Sequence, residues 1–212
     1  PLTSHFSPLT SLVGAISRGH GMAASWPLVA ALGAVLACGG RAPSVPESPA
    51  TPTAPRVMPL ARLFLLETSG PPPSDTSVSF TTGVPRVIVL YHAGESISFA
   101  RLSFEPGAFG DSGRTVQVDV RPRPGIYGLD FTTSLPLREG AASVTFEYSR
   151  YFFPPARARQ VYGSDVAFER VLAVGRVLPD NQVELLASTR PAADNLRAAF
   201  PAPGGFIVAG PQ

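Results

Sequence analysis

Ser112 and His92 are the first residues whose types would allow catalytic chemistry. Ser112 lies in Gly110-Asp111-Ser112-Gly113, and His92 is the only histidine after residue 38. A serine nucleophile needs a histidine base beside it and an acid that orients this histidine. The glycines on both sides of the serine are also what a tight turn requires. The segment therefore favours a hairpin turn between Phe109 and Thr115 over a catalytic serine.

The glycine-flanked serine is similar to the nucleophile motif of chymotrypsin-like proteases, but the surroundings of the histidine are not. Tyr91-His92-Ala93-Gly94 lacks the Ala-His-Cys setting of that family. Although Glu95 is close by, one histidine without a second nitrogen or thiolate ligand argues against zinc or copper. Asp165 and Glu169 have no accompanying base. We predict a strand-end or solvated histidine and a non-enzymatic protein without catalytic residues, metal or cofactor.

Cys38, the only cysteine, ends an uncharged apolar run that begins at Pro27. The run is shorter than the roughly 20 apolar residues that a membrane-spanning helix needs. It has the length and the small-residue ending of the hydrophobic part of a secretory signal. A short buried helix with a core cysteine is the alternative interpretation.

The residues around Cys38 resemble the signal of bacterial lipoproteins. Val35 is the aliphatic residue three positions before the cysteine, and Ala37 is the small residue directly before it. The resemblance implies a diacylglyceryl group on the Cys38 thiol, cleavage after Ala37 and a further acyl chain on the new amine. Two or more acyl chains anchor a protein stably. It also implies a place in the cell envelope, facing the periplasm or the cell exterior, with the membrane as partner.

A proline-rich segment follows the cysteine, with prolines at positions 43, 46, 49, 52 and 55. Because polyproline II has three residues per turn, these prolines share one edge. Such a segment reaches on the order of 50 Å and serves as a tether, and a proline-recognising partner is the alternative. We predict upstream sequence and signal peptide in 1–37, lipidated cysteine and tether in 38–56, and one domain in 57–212.

The charge of the chain is nearly balanced. Arg18 precedes Cys38, which leaves 16 arginines against 15 acidic residues in the remainder. Nucleic-acid-binding proteins cluster their positive charge, and this sequence does not. We therefore predict no nucleic-acid partner.

The domain sequence alternates with the period of β-strands. Thr115–Val120 places three valines on one side and Gln117 and Asp119 on the other. The Val-Ile-Val-Leu run within Arg86–Tyr91 is typical of a more central strand. Residues 57–67 fit either a strand or a short helix. Further strands are predicted at 78–81, 96–104, 126–131, 143–148, 168–178, 183–187, 196–200 and 206–209. Short strands between turns predict an all-β fold, an antiparallel sandwich or barrel.

Short segments recur in a characteristic order over roughly residues 93–210. They are Gly94-Glu95-Ser96, residues 102–109, Gly128-Leu129-Asp130-Phe131, residues 135–137, 183–186, 195–198 and 206–208. This order resembles ZU-five-like domains, and the resemblance implies a single antiparallel β-sandwich of immunoglobulin-like or ZU-five-like type. Some relatives cleave themselves at a His-Phe-Ser step before the last strand. Here the segment reads Gly204-Gly205-Phe206-Ile207, without the histidine and the hydroxyl, so self-cleavage is not expected.

An aromatic cluster is the main candidate for ligand contact. Tyr148, Arg150, Tyr151 and Phe152 could stack on a sugar ring or meet a protein, and they could equally pack in the core. The arginine pairs 121/123 and 157/159 are predicted to be exposed in loops, with an anionic-lipid or glycan contact as the alternative. The sequence thus predicts an interaction or structural module, and alternatively a glycan- or peptidoglycan-binding lipoprotein.

Overall fold

The computed structural model of the chain describes residues 56–212. In chain order its strands and helices are β1 (Arg56–Pro59), β2 (Leu63–Leu65), β3 (Glu67–Thr68), β4 (Thr76–Thr81), β5 (Arg86–Tyr91), β6 (Ser98–Phe104), β7 (Thr115–Pro122), β8 (Gly128–Thr133), β9 (Ala142–Glu147), β10 (Phe152–Phe153), α1 (Ala156–Tyr162), α2 (Asp165–Val171), β11 (Ala173–Leu178), β12 (Gln182–Leu185), β13 (Ser188–Thr189), β14 (Asn195–Ala199) and β15 (Gly204–Pro211). Short 3-10 turns span Leu60–Arg62 and Pro179–Asn181. The ambiguous stretch 57–67 is therefore mainly extended.

Two antiparallel sheets form the domain. Sheet I has the strand order β1-β12-β11-β15-β8-β7-β4, and β2 pairs with the end of β15. Sheet II has the order β13-β14-β9-β6-β5, and β3 pairs with β10 in a separate ribbon. Buried side chains from both sheets share one core. The predicted all-β class and the antiparallel β-sandwich are confirmed.

The main core follows from the period-two patterns. In β7, Val116, Val118 and Val120 are buried, while Gln117 and Asp119 lie on the outer face. Phe99 of sheet II stacks on Tyr127 at 5.2 Å between ring centroids. Each large apolar side chain that is buried in this way contributes roughly 1.5–3 kcal/mol.

A second, smaller core lies on the other face of sheet I. It consists of Leu63, Val183, Leu185, Ile207 and Ala209, with Met58 and Leu60 packed against it. Gly175 lets the side chain of Val183 pack directly on the backbone of β11, because a Cβ at Gly175 would lie 2.5 Å from Cγ1 of Val183.

The central position expected for β5 is wrong. β5 is the edge strand of sheet II and pairs only with β6 within residues 56–212. Ile88 and Leu90 face the core, whereas Val87 is 51% exposed. The continuous apolar run thus arises from valines on the outer face and does not reflect burial on both sides.

Three local expectations are also corrected. Residues 105–114 connect β6 of sheet II to β7 of sheet I and do not form a hairpin turn. The predicted strand 168–178 begins only at Ala173, because residues 165–171 form α2. Arg56, assigned to the tether by its sequence, already pairs with Leu185 in β1.

Helices are short in this domain. α1 and α2 have seven residues each, and the Ser164 hydroxyl caps α2 by accepting a hydrogen bond from the backbone N–H of Ala167. Arg157 and Arg159 lie in α1 and not in a loop. Over residues 56–212, none of the helices has the length and apolar character needed to cross a membrane.

Candidate functional site

The end of β5 carries the most unusual group of polar side chains in the domain. The backbone N–H of Glu95 donates to the carbonyl of His92 at 3.0 Å, which closes a tight turn. Gly94 in this turn has φ of +75°, a conformation that glycine adopts without strain. The turn holds the side chains of His92 and Glu95 against the core. We call Gly70, Pro71, His92, Glu95, Tyr127 and Tyr151 the His92 corner.

His92 directly follows the last residue of β5, as predicted for a strand-end residue, but its side chain is buried in the core and not solvated. It is 1% exposed, and its ring lies 4.7 Å from the ring of Tyr151 and 5.4 Å from that of Phe99. Nδ1 lies 2.8 Å from the carbonyl oxygen of Pro71. Because a carbonyl oxygen only accepts, Nδ1 carries the proton, and in the neutral ring Nε2 keeps its lone pair.

Glu95 and Tyr151 form the second bond of the corner. The Tyr151 hydroxyl donates to Oε1 of Glu95 at 2.6 Å. This hydrogen bond to the carboxylate is the largest cause that raises the pKa of Tyr151. Gly70 is required beside the pair, since a Cβ there would lie 2.5 Å from the Tyr151 ring and 2.8 Å from Cε1 of His92. The bond joins residues that are 56 positions apart in the chain.

Three buried polar atoms of the corner have no hydrogen-bond partner within residues 56–212. They are Nε2 of His92, Oε2 of Glu95 and the hydroxyl oxygen of Tyr127. Buried polar atoms are normally paired, and each unpaired one costs about 1–3 kcal/mol. The imidazole nitrogen and the carboxylate oxygen can only accept hydrogen bonds, and the tyrosine hydroxyl can do both. All three atoms are closed to solvent, so their unused hydrogen-bonding capacity lies inside the corner.

A surface depression of about 250 Å³ opens beside the corner. His92 and Glu95 line it, together with the hydroxyl-bearing residues Ser74 and Thr76. Tyr91, at the end of the edge strand β5, also lines the depression and is 51% exposed, so its ring is available for stacking. The depression has the size of a site for one small polar ring.

The predicted aromatic cluster divides between core and surface. Tyr148 is 1% exposed, so its ring packs in the core and offers no face to a ligand. Phe152 is half-buried in β10, where it pairs with Thr68. Tyr151 is half-buried in the His92 corner, and the exposed Arg150 lies over its ring at 5.8 Å. Contact with a ligand would thus fall on Tyr151 and Arg150.

Tyr148 belongs to a second polar cluster that the sequence did not reveal. Its hydroxyl donates to Oε1 of Glu169 at 3.0 Å and accepts from Nη1 of Arg190 at 2.5 Å. Arg190 also donates to the backbone carbonyls of Glu169 and Leu172 at the end of α2. Burial, the largest cause, raises the pKa of Tyr148. This cluster fastens α2 to the sandwich, and no local sequence signal marks it.

The hydrolase candidates do not come together. Ser112 packs against Gly83, before β5 begins, whereas His92 follows the end of β5. At about 3.3 Å per residue, the length of that strand separates them by roughly 17–20 Å. Asp165 is bound by Arg159 through two hydrogen bonds of 2.7 and 2.8 Å.

A larger depression, with a volume of about 410 Å³, lies on the outer face of β4, β7 and β8. Two of its three carboxylates already accept hydrogen bonds from other side chains. Gln117 donates to Asp119 at 3.0 Å, and Arg123 binds Asp130 through two hydrogen bonds. Hydrogen bonds from Ser77 and Gln117 lower the pKa of Asp119. We favour the smaller depression because only there do buried polar atoms have unused capacity.

Across residues 56–212, no group of three His, Cys, Asp or Glu side chains is placed to hold a metal ion. Cys38 and the predicted signal peptide and tether lie outside the described residues. The chain matches no protein-family model, no curated protein and no solved structure.

The two buried tyrosines give a matched test of the corner. Tyr148→Phe should lower the free energy of unfolding by about 1–3 kcal/mol, because Glu169 and Arg190 lose a bonded partner. Tyr127→Phe should leave it unchanged within about 0.5 kcal/mol, or raise it, because that hydroxyl has no partner to lose. Chemical denaturation at pH 7 measures both, and equal losses in the two variants would contradict the geometry.

The same pair can be followed at high pH. Burial raises the pKa of Tyr127 to about 12, and the nearby polar side chain of Thr68 offsets part of this rise without a hydrogen bond of normal geometry to the phenolic oxygen. A raised pKa in the folded state contributes stability below the unfolded value of about 10, and this is lost as pH rises through about 12. Tyr127→Phe should therefore gain stability relative to the wild type above pH 10.

Proposed function

We propose that the protein is a membrane-anchored lipoprotein of the cell envelope, whose ZU-five-like β-sandwich binds a partner and does not turn over a substrate. Three features support the proposal. Val35, Ala37 and Cys38 match a lipoprotein signal, periodic prolines follow the cysteine, and a folded domain begins by Arg56. Lipid on Cys38 holds the protein at the bilayer, and the proline segment leaves the domain free to meet partners.

The His92 corner is the single observation that supports a binding role most strongly. Its buried acceptor atoms have unused hydrogen-bonding capacity beside a surface depression. Ser74 and Thr76 line the depression as well, but neither hydroxyl is hydrogen-bonded to Nε2 of His92, and Ser112 lies at the other end of β5. A site with hydroxyl groups but without a serine activated by a histidine base favours recognition over catalysis.

The anchor is tested by the mass and the partitioning of the protein. Wild-type protein should carry acyl groups on Cys38 and enter the detergent phase of a Triton X-114 separation. Cys38→Ala removes the thiol that accepts the lipid, so that variant should remain unacylated and uncleaved. Gly40→Ala, a small change two positions on, should be acylated like the wild type. A wild-type protein with a free thiol and an uncut signal would refute the anchor.

A glycan is the partner that the depression beside the corner favours. Sugar hydroxyls exchange hydrogen bonds with hydroxyl groups such as those of Ser74 and Thr76, which line the depression, and sugar rings stack on exposed aromatic faces. Tyr91 supplies such a face at the edge of the depression. Peptidoglycan is the hydroxyl-rich polymer within reach of a protein held in the envelope.

Glycan binding is tested with two residues of the same strand. Tyr91 and Val87 lie on the outer face of β5, and each is 51% exposed, but only Tyr91 lines the depression. Tyr91→Ala should weaken binding to purified peptidoglycan roughly tenfold through loss of stacking, as measured by co-sedimentation. Val87→Ala should bind like the wild type. Equal behaviour of both variants, or no binding by the wild type, would remove this proposal.

A further inference from the structure

Exposed apolar side chains are concentrated around the two helices. Eight large hydrophobic residues are exposed in residues 56–212, and half of them fall within residues 153–171. Val161 and Val166 stand on either side of the two-residue connection between α1 and α2, at 56% and 58% exposure. Phe153 precedes α1 and is 54% exposed, and Val171 ends α2. We call the segment 153–171 the helical hairpin.

The helical hairpin is held firmly to the sandwich, so these side chains are presented by fixed structure. Phe168 is buried and lies edge-on to Phe64 at 6.1 Å. The Tyr162 hydroxyl donates to the carbonyl of Pro211 at 2.8 Å. Gly210 lets α2 pack closely, because a Cβ there would lie 2.9 Å from the Phe168 ring.

The charge of the helical hairpin is positive. Its arginines are Arg157, Arg159 and Arg170, and its acids are Asp165 and Glu169. Both acids are engaged, Asp165 by Arg159 and Glu169 by the Tyr148 hydroxyl. Within residues 56–212, neither Arg157 nor Arg170 takes part in a salt bridge. The surface thus combines two uncompensated guanidinium groups with four apolar side chains.

We propose that the helical hairpin is a docking surface for the anionic headgroups of a lipid bilayer. Surface helices that bind membranes present arginines to the headgroups and insert apolar side chains at the acyl boundary. Each basic residue near an anionic bilayer adds about fivefold to binding. The other exposed group, Val84, Val87 and Tyr91, has beside it one arginine that takes part in no salt bridge within residues 56–212, Arg86, whose guanidinium lies over the Phe80 ring at 5.7 Å. The helical hairpin therefore carries more unpaired positive charge than that group.

This contact goes beyond the lipid anchor, because the folded domain itself would make it. It rests on the proposed membrane location, but its test does not depend on acylation. Three valines and a phenylalanine bury little area, so the contact alone is weak. A tether keeps the domain near the bilayer and turns weak contact into a preferred orientation by raising the effective concentration. The domain would then face the membrane with α1 and α2.

The experiment uses the full chain as Cys38→Ala, so that no acyl chain contributes and every variant keeps the same uncut apolar segment 27–37. Co-sedimentation is measured with vesicles of phosphatidylcholine alone and with vesicles that are an equal mixture of phosphatidylcholine and phosphatidylglycerol. Binding is expected to be stronger to the anionic vesicles, and the difference should weaken at high salt. Arg157→Gln with Arg170→Gln should reduce it about 25-fold, at fivefold for each arginine.

A matched pair of apolar variants tests the location. Val161→Ser with Val166→Ser should weaken vesicle binding, whereas Val84→Ser with Val87→Ser on the other exposed group should not. Circular dichroism and the unfolding midpoint check that each variant is folded. The proposal is overturned if the Cys38→Ala protein without further changes does not bind anionic vesicles, or if it binds neutral vesicles equally. It is also overturned if the two pairs of valine variants reduce binding alike. Acylation of Cys38 is measured separately on the wild-type protein, so the lipid anchor and the vesicle contact can each be refuted without the other.

Discussion

The fold depends on β15, a strand that is buried on both faces. Phe206 and Val208 point into the main core, and Ile207 and Ala209 point into the second core. The same strand pairs with β11 along one edge and with β8 and β2 along the other. Because successive side chains of a strand alternate between faces, one apolar run serves two cores. Neither core is complete until the end of the chain is in place.

The His92 corner inherits its position from this strand. The backbone N–H of Val208 donates to the carbonyl of Tyr127 at 2.8 Å, and its carbonyl accepts from Leu66 at 2.9 Å. The ring of Tyr127 in turn lies edge-on to the ring of His92, with 6.3 Å between the ring centroids. The unpaired buried atoms of the corner cost stability, and the well-packed strand beside them supplies it. α2 is fixed by the same strand through Gly210.

The sequence predicts what depends on local patterns. The alternation of Thr115–Val120 identifies β7, since the side-chain period of a strand is visible in a single segment. The apolar run of β5 is less informative, because it looks the same whether the outer face is buried or exposed. β15 and β5 carry similar apolar runs, and only the tertiary pairing makes one central and the other an edge. Turn glycines likewise do not show which sheets they connect.

The candidate site was only partly predictable for the same reason. Tyr151 and His92 were both singled out by type, but their contact joins distant parts of the chain. The role of Glu95 follows from that contact, and Arg190 has no local motif at all. Gly70 could be recognised as important only once the rings packed beside it were in place.

Native-state hydrogen exchange tests the role of β15 most directly. If both cores depend on this strand, the amides of residues 206–209 exchange only through global unfolding. Their protection should then match, within about 1 kcal/mol, the free energy of unfolding from chemical denaturation. Amides at the edge, in β5, should exchange through smaller openings. If residues 206–209 exchange well before global unfolding while another strand remains protected, β15 is not the strand on which the fold depends.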